Sequence, residues 1–185
     1  PLGFTGAPIR PSNEGERALT PRLDAIIPWL DYLIDMGANG LLLGPVFASE
    51  THGYDTVDYY RIDSRLGDDA AFDRLIDACR SRGIRVMLDG VFNHVGRSFP
   101  AFRDALAGHE SMFHITRNAG GGVDYRRFEG HPELPELNHD SEEVVRLVTD
   151  VMLHWLRRGA SAWRLDAAYA VSPAFWTRVL PAVRR

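Results

Sequence analysis

The sequence predicts an α/β protein in which parallel strands alternate with helices. Three segments share one design, in which a helical pattern ends at a glycine and a short apolar run follows, at residues 36–44, 82–90 and 158–166. Glycine directly after a helix is the usual left-handed cap. The resulting order is helix, strand, helix, strand, helix, strand, helix, which is typical of a parallel α/β architecture.

The apolar runs themselves predict the strands. Residues 41–43, 84–88 and 162–165 are largely apolar on both alternations of a strand. This pattern is expected of parallel strands that are covered by other elements on both faces.

The segments between these runs predict the helices. Three stripes repeat apolar residues every three or four positions: Leu23, Ile26, Ile27, Leu30 and Ile34; Phe72, Leu75, Ile76 and Cys79; and Val144, Val148, Val151 and Trp155. Pro28 is expected to break or restart the first helix. Residues 140–143 resemble a capping box with Asp140 as the cap of the third helix. A last helix is expected to begin near Ser172 and Pro173.

The spacing of the units predicts an insertion. The second strand and the third are separated by more residues than the first and the second, and the excess lies around residues 95–139, which hold three consecutive glycines and little periodicity. We interpret this stretch as an inserted loop or small subdomain after a strand. Residues 1–94 then form the first part of the main domain, and residues 140–185 continue it.

Composition excludes several classes of partner. The net charge is −4, the chain has one cysteine, and its apolar runs are far shorter than a membrane span. We therefore expect no nucleic acid or membrane partner. A single cysteine also excludes an internal disulfide framework, and Cys79 is interpreted as a buried small hydrophobe.

Polar residues cluster just past the carboxyl end of each predicted strand. They are His52, Tyr54 and Asp55 after the first, Asp89, Asn93 and His94 after the second, and Arg164 and Asp166 at the third. In α/β barrels and open α/β sheets alike, this is the side on which ligands bind. The pattern therefore predicts a functional face.

The types of these residues suit several kinds of chemistry. Arg164 and Asp166 point to the same face of a strand, and a neighbouring guanidinium favours the ionised carboxylate. Such a carboxylate suits a nucleophile or a stabiliser of positive charge, although the pair can also be a fold-stabilising ion pair. Asp89, Asn93 and His94 can bind a divalent cation, hydrogen-bond a polyhydroxylated ligand or cap the next helix. Tyr54 can stack on a sugar ring or simply pack against the protein.

Four motifs resemble glycoside hydrolase family 13, the α-amylase family. Residues 89–94 (DGVFNH) resemble its first signature motif, and residues 159–166 (GASAWRLD) resemble the second. Residues 134–138 (LPELN) resemble the motif near the end of the inserted domain B, while residues 40–45 with 52–56 resemble the second-strand region. The resemblance covers about residues 20–170. It implies a partial TIM (β/α)8 barrel, roughly strands 2–4 with their helices, and a short domain B insertion after the third barrel strand.

The resemblance also implies roles for the clustered residues. Asp166 would be the nucleophile that forms a covalent glycosyl-enzyme, and Arg164 would keep it ionised. Substrate contacts at the cleavage subsite would come from His52, Tyr54, Asp55 and His94, with Asp89 orienting them. Asn93 is a calcium ligand in many relatives, so calcium is a candidate ion, although no cofactor is required for the reaction.

The family's general acid is a glutamate on the fifth strand, which would lie beyond Arg185. We therefore expect residues 1–185 to be an amino-terminal part of a longer barrel and to be inactive alone. Glu129, Glu133 and Glu136 lie in the insertion and are not candidates for this acid.

The implied function is that of a retaining hydrolase of α-glucosidic bonds. Trp163 before Arg164 and the HGYDT segment resemble the neopullulanase and cyclomaltodextrinase side of the family. Tyr169 and Ala170 stand where many α-amylases carry Lys-His, which favours short α-glucans such as malto-oligosaccharides, and Ala167 favours α-1,4 bonds. The alternatives are a transglycosidase or isomerase resembling trehalose synthase, and a non-catalytic member. A cytoplasmic location is favoured, and secretion stays open.

Overall fold

The computed structural model describes residues 1–109 and 112–184. In chain order the helices and strands are α1 (Leu30–Asp35), β1 (Gly40–Leu42), β2 (Phe47–Ser49), β3 (Thr56–Ile62), α2 (Asp69–Arg80), β4 (Arg85–Gly90), α3 (Pro100–Leu106), β5 (Ile115–Arg117), β6 (Val123–Tyr125), α4 (Glu142–Arg157), β7 (Ala162–Leu165) and α5 (Pro173–Val183). Short 3-10 helices cover Gly15–Arg17, Arg22–Trp29, Phe128–Gly130 and Ala168–Ala170.

A parallel sheet of three strands in the order β1-β4-β7 forms the centre of the fold. These are the three strands predicted from the sequence, and the alternation with helices is confirmed. The register pairs Leu42 with Met87 and Asp89 with Arg164 across neighbouring strands. Asp89 and Arg164 therefore lie side by side on one face, near the carboxyl edge of the sheet.

The three predicted glycine caps are confirmed. Gly37, Gly83 and Gly159 have φ angles of 79°, 70° and 114°, a region that L side chains rarely adopt. At Gly159 a Cβ atom would also lie 2.6 Å from the Cγ2 atom of Ile76. This glycine therefore allows both the left-handed turn before β7 and the close approach of that turn to α2.

One face of the sheet is covered and the other is open, so the expectation that both faces are covered is wrong for the described chain. Val86 and Leu88 are buried on the covered face, while Leu42 and Met87 on the opposite face are 52% and 36% exposed. In a closed (β/α)8 barrel the second face is the interior, which is filled by side chains from all eight strands. The described residues include only three such strands.

The core between the sheet and its helices follows the predicted stripes. Phe72, Leu75, Ile76 and Cys79 on α2, and Val144, Val148, Val151 and Trp155 on α4, are all buried. The indole N–H of Trp155 donates to the backbone oxygen of Tyr59 at 2.8 Å, which joins α4 to β3. Burial raises the pKa of the Cys79 thiol to about 11, in agreement with its interpretation as an unreactive core residue.

The first helical stripe is only partly correct. A 3-10 helix runs through Pro28, and the α-helix begins at Leu30. Proline lacks an N–H and its ring clashes with the preceding turn of an α-helix, which explains why α1 begins after it. Leu23, Ile26 and Leu30 are buried, but Ile34 is 41% exposed and does not belong to the buried stripe.

The start of α4 differs from the prediction by one residue. Ser141, not Asp140, is the N-cap, and its hydroxyl accepts a hydrogen bond from the backbone N–H of Glu143 at 3.2 Å. At α5 the prediction is confirmed, because Ser172 caps the helix and Pro173 is its first residue.

Two small antiparallel hairpins accompany the parallel sheet. The hairpin β2–β3 lies between β1 and α2, and the loop between its strands carries His52 and Tyr54. The hairpin β5–β6 and helix α3 lie within residues 95–139, in the predicted insertion. We propose that this architecture has three parts: the first part of the main domain at residues 1–94, the insertion at residues 95–139, and the continuation of the main domain at residues 140–185.

The base of the β2–β3 hairpin is fixed by a buried ion pair. The guanidinium of Arg65 is fully buried and donates to Asp63 at 2.8 and 2.6 Å and to the Ser49 hydroxyl at 2.7 Å. Arg65 also donates to the backbone oxygen of Pro8 at 2.9 Å. Because these contacts satisfy both charged groups, they hold the hairpin and the loop that it presents.

Every helix within residues 1–109 and 112–184 is too short or too polar to cross a membrane.

Candidate active site

The candidate site lies at the carboxyl end of the parallel sheet. Strand β4 ends at Gly90 and β7 ends at Leu165, and the backbone N–H of Asp166 donates to the oxygen of Gly90 at 3.0 Å. This bond extends the strand pairing by one residue beyond β7. The side chains of Asp89, Arg164 and Asp166 are therefore held by regular backbone rather than by a loose loop.

A cavity of about 620 Å³ opens at this edge and brings together most of the predicted residues. His52 and Tyr54 reach it from the β2–β3 loop, His94 from the segment after β4, and Arg164 and Asp166 from β7. These five residues, predicted from three separate segments, meet in one pocket. Asp89, Asn93 and Asp55 do not line it.

A shared cation joins two of the carboxylates. The Nη1 atom of Arg164 lies 2.6 and 2.7 Å from the two oxygens of Asp89 and 3.0 Å from Oδ1 of Asp166. The Asp89 side chain is 2% exposed, that of Asp166 17% and that of Arg164 42%. Asp89 thus lies beneath the arginine, and Asp166 is the carboxylate that faces the cavity.

The electrostatics of this cluster differ from residue to residue. Burial raises the pKa of Asp89, and the hydrogen bonds from Arg164 act in the opposite direction. The same hydrogen bonds raise the pKa of the Arg164 guanidinium, so this group stays charged. Partial burial, followed by the negative charges of Asp89 and Asp166, raises the pKa of the Tyr54 hydroxyl, which therefore stays protonated and can donate a hydrogen bond.

His94 is a neutral imidazole buried in the wall of the cavity. It is 1% exposed, and its ring stacks on Phe128 with centroids 4.4 Å apart. Burial lowers the pKa of His94 to about 4. Among the described residues its Nε2 atom has no hydrogen-bond partner. A buried polar atom without a partner beside a cavity is suited to bind a ligand group such as a sugar hydroxyl.

This histidine predicts how stability depends on pH. The unfolded state takes up a proton on His94 near pH 6.5, whereas the native state does so only near pH 4. Stability is therefore lost as pH falls from 6.5 to 4, by about 3 kcal/mol in total. We expect His94→Gln to remove this loss, as measured by urea unfolding of the complete protein at steps across that range. An unchanged slope in the variant would contradict the assignment.

Asp55 supports the loop rather than the cavity. Its carboxylate accepts hydrogen bonds from the Thr51 hydroxyl and from the backbone N–H of Gly53, and the residue is 5% exposed. The Nδ1 atom of His52 lies 4.0 Å from the same carboxylate and accepts from the backbone N–H of Tyr54 at 3.2 Å. These contacts favour a role for Asp55 in positioning His52 and Tyr54 over the predicted direct contact with substrate.

Asn93 is the predicted calcium ligand. Its side-chain oxygen is buried and has no hydrogen-bond partner among the described residues, and its amide nitrogen lies 3.3 Å from Nδ1 of His94. Calcium requires six to eight oxygen ligands. Within the described chain, no three His, Cys, Asp or Glu side chains lie close enough together to hold a metal ion. Around Asn93 the described chain therefore has no cluster of such side chains, and calcium binding by Asn93 stays a prediction.

Sequence reasoning missed part of the cavity wall. Phe128 and Glu129 of the insertion line the cavity, and Tyr169 lines it from the short helix after β7. Tyr169 entered the sequence analysis only because it stands, with Ala170, where many α-amylases carry Lys-His. The single local signal was its position three residues after Asp166, whereas nothing in the sequence around Phe128 and Glu129 indicates that the insertion folds back over His94.

The fold and the site together define a class, that of (β/α)8-barrel proteins with an acidic pocket at the carboxyl ends of the strands. A family model described as "Alpha amylase, catalytic domain" matches residues 12–118. Among curated proteins, the chain is 38% identical to the intracellular maltogenic amylase of Bacillus subtilis (strain 168) and 39% identical to a cyclomaltodextrinase of Geobacillus thermopakistaniensis. These matches cover 87% and 88% of this chain and 29% of each relative. The chain belongs to the α-amylase family.

Solved structures agree with this membership. The cyclic α-maltosyl-(1→6)-maltose hydrolase of Arthrobacter globiformis, in complex with cyclic α-maltosyl-(1→6)-maltose, superposes with a TM-score of 0.80 at 36% identity. That match covers 88% of this chain and 39% of the hydrolase. A cyclomaltodextrinase superposes with a TM-score of 0.79 at 38% identity over 88% of this chain and 30% of its own. The fold is therefore part of a TIM barrel, as the sequence predicted, and the chain spans under a third of the length of the two curated relatives described above.

Proposed function

We propose that this protein is a retaining glycoside hydrolase that cleaves α-glucosidic bonds, α-1,4 in particular, with Asp166 as the nucleophile. The observation that carries the proposal is the position of Asp166, whose carboxylate faces the cavity while one of its oxygens lies 3.0 Å from the Arg164 guanidinium. Arg164 thus contacts the side chain that faces the cavity, and the carboxylate is the form of an aspartate that attacks.

The proposed reaction has two steps. An oxygen of Asp166 forms a bond to the anomeric carbon as the bond from that carbon to the leaving oxygen breaks, and a second carboxylic acid protonates the leaving oxygen. Water then attacks the same carbon and releases the sugar, giving its proton to that second group. The two carboxyl groups of a retaining enzyme lie about 5–5.5 Å apart. The resemblance to the family implies that this second group is a glutamate of the fifth barrel strand.

The remaining residues of the cavity would position the sugar. The neutral His94 offers its unpartnered Nε2 atom, and Tyr54 offers a protonated hydroxyl and an aromatic face. His52 lies beside Tyr54, with ring centroids 5.9 Å apart. Asp89 acts on the substrate through Arg164, because its carboxylate is buried against the guanidinium. No cofactor enters the scheme.

The names of the relatives guide the choice of substrate. They are a maltogenic amylase, cyclomaltodextrinases and a hydrolase of a cyclic maltosyl saccharide. We propose short α-glucans, that is malto-oligosaccharides or cyclic maltodextrins, as substrates. One relative is named intracellular, which favours a cytoplasmic location. Because all of these names describe hydrolases, we propose neither the isomerase nor the non-catalytic alternative.

The configuration of the first product tests the proposal. The complete protein is incubated with maltotriose, and the anomeric proton of the newly formed reducing end is followed by NMR before mutarotation. We expect the α-anomer to appear first, because two displacements at one carbon restore its configuration. Initial formation of the β-anomer would exclude a covalent intermediate on Asp166, and the absence of any cleavage would exclude the proposed activity.

A further inference from the structure

Two separate segments of the chain supply the groups that face Asp166 across the cavity. The loop between β2 and β3 carries His52 and Tyr54, and the segment directly after β4 carries His94. Because these segments are far apart in sequence, their spacing depends on the contacts between them. A contact that fixes this spacing also fixes the position of His94 relative to the loop.

Glu50 makes such a contact with its side chain. Its Oε1 atom accepts a hydrogen bond from the backbone N–H of Ser98 at 2.5 Å, across 48 residues of sequence. Close by, the backbone N–H of Gly96 donates to the backbone oxygen of Thr56 at 2.8 Å. Since Glu50 follows β2 and Thr56 begins β3, the two bonds attach the chain just after His94 to both ends of the β2–β3 loop.

The surroundings of Gly96 show how closely the two segments approach. A Cβ atom at this residue would lie 2.6 Å from the backbone oxygen of Asp55 and 2.8 Å from Oε1 of Glu50, so only glycine fits. Glu50 is also held at its own backbone. Its N–H donates to the oxygen of Asp55 at 3.1 Å, and its oxygen accepts from the guanidinium of Arg17 at 2.6 Å.

We propose that Glu50 is a positioning residue for the reaction: through Ser98 it fixes His94 relative to the β2–β3 loop, and hence the fit of the attacked sugar to both. This inference rests on the proposed function, and Glu50 itself lies outside the lining of the cavity. A displacement of about 1 Å in the groups that hold a substrate can cost on the order of a hundredfold in rate. The role requires the hydrogen bond from the Ser98 N–H and not the charge of the carboxylate.

Three substitutions of Glu50 separate the bond from the charge. Glu50→Gln keeps the length and an acceptor oxygen without the charge, Glu50→Asp keeps the charge on a side chain too short to reach Ser98, and Glu50→Ala removes both. With the complete protein and maltotriose, we expect kcat to fall by about tenfold in Glu50→Ala and Glu50→Asp and by at most about threefold in Glu50→Gln. KM should change less than kcat, because misplaced groups lose most of their effect in the transition state.

The loss should depend on His94. In a His94→Gln background, we expect Glu50→Ala to lower kcat by a smaller factor than in the parent, because the side chain that it positions is already changed. An equal factor in both backgrounds would overturn the proposal. Parent activity in Glu50→Asp together with a large loss in Glu50→Gln would also overturn it, since the charge and not the bond would then matter.

Asp68 is the matched control for an effect on stability alone. Its Oδ1 atom also accepts from a backbone N–H, that of Ala71 at 2.9 Å, at the start of α2 and outside the cavity. Asp68→Ala should therefore lower the melting temperature and leave kcat within about twofold of the parent. If Glu50→Ala behaves in the same way, Glu50 only stabilises the fold and the proposal is wrong.

Two further results keep the test decisive. If Glu50→Ala does not fold, the comparison of Glu50→Gln with Glu50→Asp still decides between the bond and the charge. A parent that does not cleave maltotriose would refute the proposed function, and the positioning role with it. A parent and a Glu50→Ala variant that cleave it equally well would refute the positioning role alone.

Discussion

Asp166→Asn is expected to lower kcat on maltotriose by at least about a thousandfold, because an amide of the same shape cannot attack the anomeric carbon. KM should change far less, since the amide keeps the volume of the carboxylate and Arg164 still lies beside it. Steady-state kinetics of the complete protein measure both quantities, and circular dichroism verifies that the variant is folded.

The matched control for this variant is Asp150→Asn. Asp150 is an exposed carboxylate on α4 outside the cavity, so its replacement should leave kcat within about twofold of the parent. Asp166→Asn with more than a tenth of the parent activity would show that another group is the nucleophile. The single carboxylate beside Arg164 that reaches the cavity would then have only an electrostatic role.

The parallel part of the fold could be predicted because its signals are local. A left-handed glycine before each strand, apolar runs of strand length and helical stripes are all visible in short windows of sequence. The hairpin β2–β3 was missed, although Thr56–Ile62 is rich in β-branched and aromatic residues that favour strands. The exposed face of the sheet could not be predicted from the sequence. A strand of a closed barrel is apolar on both faces, and this pattern is the same when the strands that cover one face are not among the residues of the sequence.

The site could be predicted as a set of residues but not as a set of contacts. The positions of His52, Tyr54, His94 and Asp166 after strands implied a common edge, and the structure places them at one cavity. The bond between Asp89 and Arg164 depends on the register of two strands whose residues are 75 positions apart, and register is set by packing across the sheet. The positions of Asp55, Phe128 and Glu129 depend on how loops fold, for which the sequence has no periodic signal.

Arg164→Met is the second variant with a large expected effect. It removes the cation shared by Asp89 and Asp166 and should lower kcat/KM on maltotriose by at least about a hundredfold, since Arg164 also lines the cavity. It should also destabilise the protein at pH 7 by about 1–3 kcal/mol, less than for a fully buried pair because Arg164 is 42% exposed. Arg74→Met, which breaks an exposed pair with Asp24, is the control and should cost under about 1 kcal/mol.

The pH dependence of this destabilisation identifies the residue that causes it. Burial already raises the pKa of Asp89, and removal of Arg164 raises it further because the hydrogen bonds that oppose burial are lost. Between the ordinary pKa of an aspartate and this raised value, the native state holds more protons than the unfolded state, so stability falls as pH rises through that interval. The difference in unfolding free energy between Arg164→Met and the parent should therefore shrink as pH falls from 7 to 4, while the change from His94 cancels in the difference. In an Asp89→Asn background the same substitution should show a much smaller pH dependence, because the fully buried carboxylate is gone and only Asp166, at the edge of the cavity, remains beside the lost guanidinium. An equally large pH-dependent cost in that background would mean that Asp89 is not the main group that Arg164 neutralises.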